Sequence, residues 1–246
     1  MPDNIAGVRI ATAILVAVGL IAGGYAIGSG VRGFRTADRY VSVKGIAEKE
    51  VKADLALWPL RVTAASNSLQ EAQARVAKDA GTVRHFFESG GIPSAAIEVQ
   101  GVEANDLMAQ TFRQGAPPSR YVVAQTLMVR TTDVDRIAAL SQRVGEIVQA
   151  GVAISSGENM PQQGPFYIFT KLNDIKPAMI AEATKNARAS AQQFAADSGS
   201  SLGHIRQASQ GLFQILPRDA APGQSEEKQI QKTVRVVSTV DYSLTR

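Results

Sequence analysis

The sequence predicts a domain in which strands alternate with helices, preceded by one N-terminal transmembrane helix. Two observations carry this prediction. The run from Ile10 to Ile27 is apolar and uncharged, and after Arg39 the chain alternates between apolar patterns of period two and of period 3.6. We therefore expect an anchor with its basic flank over residues 1–36 and one folded domain over residues 40–246.

The apolar run lies between Arg9 and the basic flank 32–39. About 18 uncharged residues are near the minimum for crossing a bilayer, and the small residues after Ile21 also fit the cleavage site of a signal peptide. Because apolar character continues past every candidate cleavage site, through Tyr25 and Ile27, we favour an uncleaved anchor. A leader that is cleaved after export is the alternative.

Composition excludes several classes of protein. With 45% hydrophobic and 20% charged residues among 246, the chain is globular rather than disordered. It contains no cysteine, which excludes disulfides, thiolate nucleophiles and cysteine-type zinc sites. The net charge of +4 is spread along the chain, so we expect no nucleic-acid partner.

The first strands of the domain are predicted at Tyr40–Val51 and Asp54–Ala65. In the second strand, alternate residues form one apolar face: Ala56, Trp58, Leu60, Val62 and Ala64. Since Pro59 cannot donate a hydrogen bond to a neighbouring strand, this strand is expected at a sheet edge or to be bulged there.

The first helix is predicted to begin at Ser68, where Ser68 and Glu71 form an S-x-x-E capping pattern, and to end at Gly90 and Gly91. Its apolar stripe consists of Leu69, Ala72, Val76, Val83 and Phe86 or Phe87. Two further strands are predicted at Ile97–Ala104 and Arg120–Thr131.

A second helix, capped by Thr132 and Asp133 and closed by Gly151, is predicted as a single crossover. A strand at Phe166–Leu172 should lead into a third helix that runs from about Asp174 to Gly199. The third helix carries a stripe of mostly small residues: Met179, Ile180, Ala183, Ala187, Ala191 and Phe194. This stripe could pack on a sheet or on the same helix of another subunit. Strands at Gly203–Gly211 and Thr233–Leu244 complete the domain.

Three polar connections separate these elements: Ala109–Ser119, Ser155–Gly164 and Pro217–Gln229. Their glycine, proline and polar residues predict mobile loops. Loops of this length are uncommon in compact domains unless they bind something, so they are candidate interaction surfaces, with plain solvated linkers as the equal alternative.

Chemical motifs are nearly absent. His85 and His204 have no partner at the spacing of a metal site, and Glu48, Glu50 and Asp54 are close in sequence but fit water-facing strand positions. We therefore predict that the chain is not an enzyme, with no catalytic, cofactor-binding or metal-binding residues and no cofactor. Trp58, the single tryptophan, fits either the core or a subunit contact.

Three segments resemble the SIMPL domain, a family of bacterial envelope proteins of mostly unknown function. They are RYVSVKGIAEKEVKADLALWPLRVTA, LQEAQARVAKDAGTVRHFFESGGI and AEATKNARASAQQFAADSGSSLGHIRQASQG. The resemblance covers Tyr40 to the carboxy terminus, and its most specific part is Ala181–Gly211. Ala53 departs from the pattern, since the family often has proline there.

The resemblance implies an α+β fold of antiparallel sheets with packed helices. It also implies a location in the bacterial periplasm, and it links some members to envelope or oxidative stress and some to ring- or channel-like assemblies. Basic residues that follow the apolar run would by themselves keep the domain cytoplasmic, but long domains are exported largely regardless of charge. We therefore expect a non-enzymatic homo-oligomer held in the inner membrane through Ile10 to Ile27. The alternative is a binding module that recruits an envelope partner or a small ligand through Ala109–Ser119 and Pro217–Gln229.

Overall fold

A computed structural model of the chain describes residues 15–25, 39–109, 118–155, 164–223 and 225–245. The helices are α1 (15–25), α2 (Leu69–Ser89), α3 (Val134–Gln142), α4 (Gly145–Gln149) and α5 (Leu172–Asp197), with 3-10 turns at Ser94–Ala96 and Glu226–Lys228. The strands are β1 (Tyr40–Lys52), β2 (Leu55–Ser66), β3 (Ile97–Asp106), β4 (Tyr121–Thr131), β5 (Ile154–Ser155), β6 (Phe166–Ile168), β7 (Ser201–Gln210), β8 (Gln214–Pro217) and β9 (Gln231–Thr245). The predicted α+β class with antiparallel sheets and packed helices is confirmed.

The chain divides into two compact units. The first comprises residues 1–47, 180–212 and 236–246, and so contains β7, most of α5 and portions of β1 and β9. The second comprises residues 48–179 and 213–235, and contains β2 to β6, α2 to α4 and β8.

The second unit is built on a five-stranded sheet of order β3-β4-β2-β5, in which β6 also pairs with β2. The predicted inner face of β2 is buried throughout, and α2 packs across β2 and β4. The Phe87 ring of α2 meets Trp58 edge-on at 5.2 Å between ring centroids. The buried face of α2 consists of Ala72, Val76, Ala80, Val83, Phe86 and Phe87. The sequence therefore predicted the central layer of this core correctly.

A four-stranded sheet has the order β1-β9-β7, with β8 also beside β9. In the first unit, β7 runs antiparallel to residues 238–245 of β9, with two register shifts between Leu202 and Gln207. In the second unit, β8 runs antiparallel to residues 232–235 of β9. The sequence did not predict β8, because four residues are too short to show a period.

The alanine stripe of α5 packs against β1 in the first unit. Its buried row keeps a spacing of four: Ala183, Ala187, Ala191 and Ala195. The prediction that Phe194 belongs to this row is wrong, since Phe194 is 60% exposed. Each residue turns a helix by about 100°, so the position before Ala195 points well away from the row.

Small residues are needed on this row because β1 comes very close at Gly45. A Cβ added to Gly45 would lie 1.9 Å from the carbonyl oxygen of Ala183 and 2.4 Å from the amide nitrogen of Ala187. Beside this contact lies a small core of Val43, Ala187, Ala191, Val240 and Tyr242. Because the small residues of α5 contact a strand, the structure agrees with the interpretation that this stripe packs on a sheet.

The predicted second helix is two helices. α3 begins at Val134, with the Asp133 carboxylate accepting the Arg136 amide as predicted, but the chain leaves the helix at Arg143 and re-enters it at Gly145. Glycine weakens a helix interior by about 1 kcal/mol, and a bidentate ion pair from Arg143 to Glu146, at 2.8 and 3.0 Å, spans the break. A single continuous crossover helix is therefore the wrong description.

The predicted start of α2 is confirmed, but the hydrogen bonds predicted to cap it are not formed. Ser68 occupies the N-cap position without making a side-chain cap. The Glu71 carboxylate instead accepts the hydroxyl of Ser66 at 2.7 Å, and the same hydroxyl oxygen accepts the Ser68 amide at 3.1 Å. Ser66 thus accepts the Ser68 amide, the bond that the capping pattern assigned to the Glu71 carboxylate.

Other boundaries differ by short lengths. β6 ends at Ile168 rather than Leu172, because α5 begins at Leu172, two residues before Asp174. β5 pairs with β2 at the start of a segment that was predicted to be a loop. The loops predicted at Ala109–Ser119 and Ser155–Gly164 lie mostly outside the described residues.

The predicted anchor is only partly described. Residues 15–25 form α1, whose large apolar side chains are exposed, whereas the rest of the Ile10–Ile27 run lies outside the described residues. Among the helices that are described, none has both the length and the apolar character that a membrane span requires. The transmembrane anchor remains a prediction.

Candidate functional site

A cavity opens in the second unit where the pairing of β2 is interrupted. β6 pairs with residues 55–57 of β2 and β5 with residues 61–62, so Pro59 and its two neighbours lie between them. The pairing of β2 with β4 runs through Pro59 without a shift, so the predicted bulge is wrong. The prediction of a sheet edge holds only at Pro59 and its two neighbours. On the side of β2 that pairs with β5 and β6, no strand among the described residues pairs with Pro59, which has no amide hydrogen to donate there.

The cavity has a volume of about 430 Å³. Its lining comes from β2, from the end of α3 and the turn after it, from β5, from β6 and the residues before it, and from the 3-10 turn Glu226–Lys228. The lining residues are Trp58, Pro59, Leu60, Ser141, Gln142, Val144, Ile154, Ser155, Gly164, Pro165, Tyr167 and Lys228. Small-molecule sites in proteins start at about 300 Å³, so this cavity is large enough to hold a ligand.

Two aromatic residues form firm walls. Trp58 is 3% exposed and is held from behind by Phe87. Tyr167 is 6% exposed, and burial raises the pKa of its phenol, an effect that a hydrogen bond with Ser141 partly opposes. Both side chains are therefore positioned by the core itself.

Lys228 brings the one charged group to the lining that the structure describes. Its ammonium donates to the carbonyl oxygens of Gly164 and Pro165, both at 3.2 Å, and lies 3.7 Å from the centroid of the Phe166 ring. Partial burial lowers the pKa of Lys228, and the nearby charge of Glu227 works against this shift.

The turn that carries Lys228 is held by an ion pair whose lysine is buried and whose glutamate is partly exposed. Lys232 of β9 is fully buried, and its ammonium donates to the backbone carbonyl of Glu226 at 2.6 Å and to the Glu226 carboxylate at 2.5 Å. Lys232 is not among the residues that the sequence pattern singled out. The signal was present, because Lys232 shares the period-two inner face of β9 with Val234 and Val236.

Two edge strands form a second kind of candidate surface. β3 lies at the end of one sheet order and β7 at the end of the other, and each has eight of its ten residues exposed. α2 packs on β2 and β4 and leaves most of β3 uncovered, so Val99 and Val102 are 49% and 58% exposed. Edge strands of this kind offer unpaired backbone groups to another chain.

The two histidines occupy ordinary surface positions. His85 is exposed on α2, and His204 is exposed on β7, where its Nδ1 lies 3.2 Å from the Ser243 hydroxyl. Within the described ranges, no group of three or more histidine and acidic side chains is placed to hold a metal ion.

The acidic residues near the start of the domain have separate surroundings. Glu48 and Glu50 are exposed on β1, and Glu48 lies 3.4 Å from the Arg235 guanidinium. Asp54 is in the turn before β2 rather than in a strand, and it accepts the amide and the hydroxyl of Thr170 at 2.7 and 2.8 Å. Partial burial alone would raise the pKa of Asp54, but these hydrogen bonds and Lys171 lower it below its ordinary value.

A comparison with protein families gives one result. Residues 41–242 match the family model SIMPL, described as a protein of unknown function (DUF541). A search of curated proteins finds no match to the chain. The matched range covers both edge strands and every residue of the cavity lining.

Proposed function

Since the chain belongs to the SIMPL family, we propose that it is a non-enzymatic, membrane-anchored periplasmic protein whose SIMPL domain self-associates into a higher oligomer, ring- or channel-like, that serves in envelope or oxidative stress. The stress role and the compartment come from the resemblance to the family. Self-association has independent support in the two exposed edge strands.

The observation that carries the proposal is the surface of β3. Its outer backbone groups have no partner strand in the described part of the chain, and its inner face continues the apolar core beyond α2 as Val99 and Val102. A long exposed edge with apolar side chains is unfavourable in water unless another chain covers it. A second copy of this chain would supply both the missing backbone partners and apolar contact.

Charge favours pairing of β3 with β7 rather than with itself. β3 carries Glu98, Glu103 and Asp106, and of these Glu103 is paired with Arg61 and Asp106 with Arg120. Two antiparallel β3 strands would bring these acidic side chains together, which leaves Glu98 as the main source of repulsion. β7 carries Arg206 and no acidic side chain, together with the exposed Ile205. A contact between two different surfaces is heterologous, and such contacts form rings when the rotation closes.

Tethering would strengthen this assembly. The exposed apolar side chains of α1 (Leu15, Val16, Val18, Leu20, Ile21 and Tyr25) fit a helix that lies in lipid. An anchor confines the copies to a plane and raises their effective concentration, so that modest interfaces suffice.

The test uses the full-length chain in a gentle detergent, with mass measured by light scattering. We expect a higher oligomer for the wild type and monomer for Val102→Lys, because a charge on the edge blocks pairing. The matched control is Val148→Lys on α4, since Val148 is 57% exposed and Val102 is 58% exposed. Wild-type protein that is only monomeric would contradict the proposal.

The absence of cysteine allows a sharper version of the test. A chain with Val102→Cys and Ile205→Cys should form a ladder of disulfide-linked copies, whereas either single variant should not. Dimers from Val102→Cys alone would show β3 pairing with itself. Adducts dominated by another envelope protein, and lost when Pro217–Gln229 is deleted, would favour the binding-module alternative.

The orientation is tested separately with a reporter fused to the carboxy terminus. We expect the reporter to be accessible from the periplasm of intact cells. A reporter that is accessible only from the cytoplasm would overturn the compartment and leave self-association to be judged by its own experiments.

A further inference from the structure

We propose that one face of the first unit lies against an anionic lipid bilayer. This outer face is the side of the sheet opposite α5, and on β1 it consists of Tyr40, Ser42, Lys44 and Ile46, all of which are exposed. The inference deepens the proposed anchoring, since it names the part of the domain that contacts the membrane, and it rests on that proposal for the location of the chain.

The alternation of each strand defines the outer face. Val43 and Gly45 of β1 point towards α5, and so do Val240 and Tyr242 of β9. Successive side chains of a strand point to opposite faces, so the residues between these positions point away from the helix. On β9 the outer face therefore includes Asp241.

The net charge of +4 lies entirely in the first unit. Basic residues are spread along the sequence, but residues 48–179 and 213–235 contain 17 basic and 17 acidic side chains, whereas residues 1–47, 180–212 and 236–246 contain nine basic and five acidic ones. This count includes the residues outside the described ranges, and ion pairs within the unit leave its net charge unchanged. A negative surface therefore attracts the first unit and not the second.

Within the described residues of the first unit, the excess lies on the sheet rather than on the helix. The portion of α5 in this unit has two basic and two acidic side chains: Glu182, Lys185, Arg188 and Asp197. The sheet has Arg39 at the start of β1, Lys44 on the outer face and Arg206 of β7, whose guanidinium lies 5.0 Å from the centroid of the Tyr40 ring. Asp241 is the one acidic residue of this sheet region that the structure describes.

Apolar side chains beside these cations favour lipid over nucleic acid. Tyr40 is 54% exposed and Ile46 is 42% exposed, on either side of Lys44. Tyrosine is enriched where a protein meets the headgroups of a bilayer, and apolar side chains next to lysine and arginine are typical of surfaces that bind anionic lipid. A nucleic acid offers phosphates to Lys44 but no apolar phase to Ile46.

The position of the outer face in the chain favours the same partner. α1 ends at residue 25, so 13 residues separate it from Arg39. A fully extended chain of this length spans about 50 Å at most, which confines the first unit near the bilayer that holds the anchor. Each basic side chain near an anionic surface favours contact about fivefold, so a net two charges favour contact about 30-fold.

The experiment places a fluorescent label on the outer face of the full-length chain. The chain has no cysteine, so Ser42→Cys provides a unique site for the environment-sensitive dye acrylodan. In vesicles of equal parts phosphatidylcholine and phosphatidylglycerol we expect emission shifted to the blue relative to pure phosphatidylcholine. Salt at about 1 M, where the screening length is about 3 Å, should reverse the shift. The same label at Ala77→Cys, exposed on α2, should not respond.

A pair of lysines on β1 provides the matched variants. Lys44→Glu removes the net positive charge of the described sheet region and should reduce the ratio of bilayer-bound to free first units about 30-fold. Lys49→Glu makes the same change at an exposed position of the same strand, in the second unit, and should leave the shift nearly unchanged. Circular dichroism verifies folding, and Lys44→Gln, with about a fivefold reduction, provides the test if Lys44→Glu does not fold.

Several results would overturn the assignment. They are an equal shift in both kinds of vesicle, a shift that survives Lys44→Glu, an equal loss with Lys49→Glu, and the same shift on addition of a DNA duplex without anionic lipid. Flotation with pure phosphatidylcholine vesicles tests the anchor separately. A chain that does not float there contradicts the proposed anchor, whereas titration with the mixed vesicles still tests the outer face.

Discussion

Substitution of Gly45 by alanine should selectively destabilise the first unit. The added Cβ would lie 1.9 Å from the Ala183 carbonyl oxygen, 2.4 Å from the Ala187 amide nitrogen and 2.8 Å from the Ala187 Cβ. Contacts below 3.0 Å are essentially never seen for real Cβ atoms, so β1 and α5 must separate by about 1 Å. Because the first two obstacles are backbone atoms, no change of rotamer relieves the clash.

The size of the effect follows from overpacking. Extra methyl groups in well-packed cores cost about 1–3 kcal/mol, and obstacles made of backbone place this substitution at about 3 kcal/mol. For a chain of this length, about 2–4 °C of melting temperature is lost per kcal/mol, which gives a decrease of about 6–12 °C. The loss should appear in the unfolding transition that contains β1 and α5.

The assay is thermal and urea unfolding of the full-length chain, followed by circular dichroism and by limited proteolysis. The matched control is Gly81→Ala, where a Cβ meets nothing within 4 Å. The same chemical change should stabilise α2 there by about 0.5–1 kcal/mol. Adding Ala187→Gly to Gly45→Ala removes only the third contact and should recover little. A Gly45→Ala protein that melts at or above the wild-type temperature would refute the close approach.

Two further predictions concern the second unit. Glu226→Gln should lower the free energy of unfolding by about 3 kcal/mol, because it leaves the buried Lys232 ammonium without its charge partner. Lys232→Met combined with Glu226→Gln should recover most of this loss, as measured by urea unfolding. Equal stability of the single and the double variant would contradict the prediction. For Asp54, whose pKa is lowered below 3.8 in the folded state, the stabilisation is present above that value and is lost as pH falls through the folded-state pKa. Asp54→Asn should therefore flatten the dependence of unfolding free energy on pH in the acid range, and Thr170→Val should flatten it partly; an unchanged acid slope would remove Asp54 as the cause.

Local structure was predicted correctly where apolar residues repeat at a regular spacing over enough residues for the repeat to be recognised. The inner face of β2 repeats every second residue over Ala56–Ala64, and the stripe of α2 repeats at helical spacing up to Phe87. Each pattern arises from the geometry of a single element, so the sequence of that element contains the pattern completely. The break between α3 and α4 was missed because the apolar stripe continues across it at helical spacing, from Leu140 to Val144 and Ile147.

The cavity could not have been predicted in the same way. Its lining combines residues near positions 58, 141, 154, 165 and 228, and no local pattern relates these segments. Pro59 did indicate an unpaired stretch of β2. Which strands would flank that stretch depends on the pairing of β5 and β6, two strands too short to show a period.

The sequence by itself determined that strands alternate with helices, most element boundaries and which faces are apolar, because backbone geometry and the burial of apolar surface act over a few neighbouring residues. Only the tertiary structure decided that Gly45 meets Ala183 and Ala187, that Lys232 holds the Glu226 turn, and that β3 remains uncovered. These contacts join segments far apart in the chain, and their partners are chosen by register and packing rather than by any local pattern.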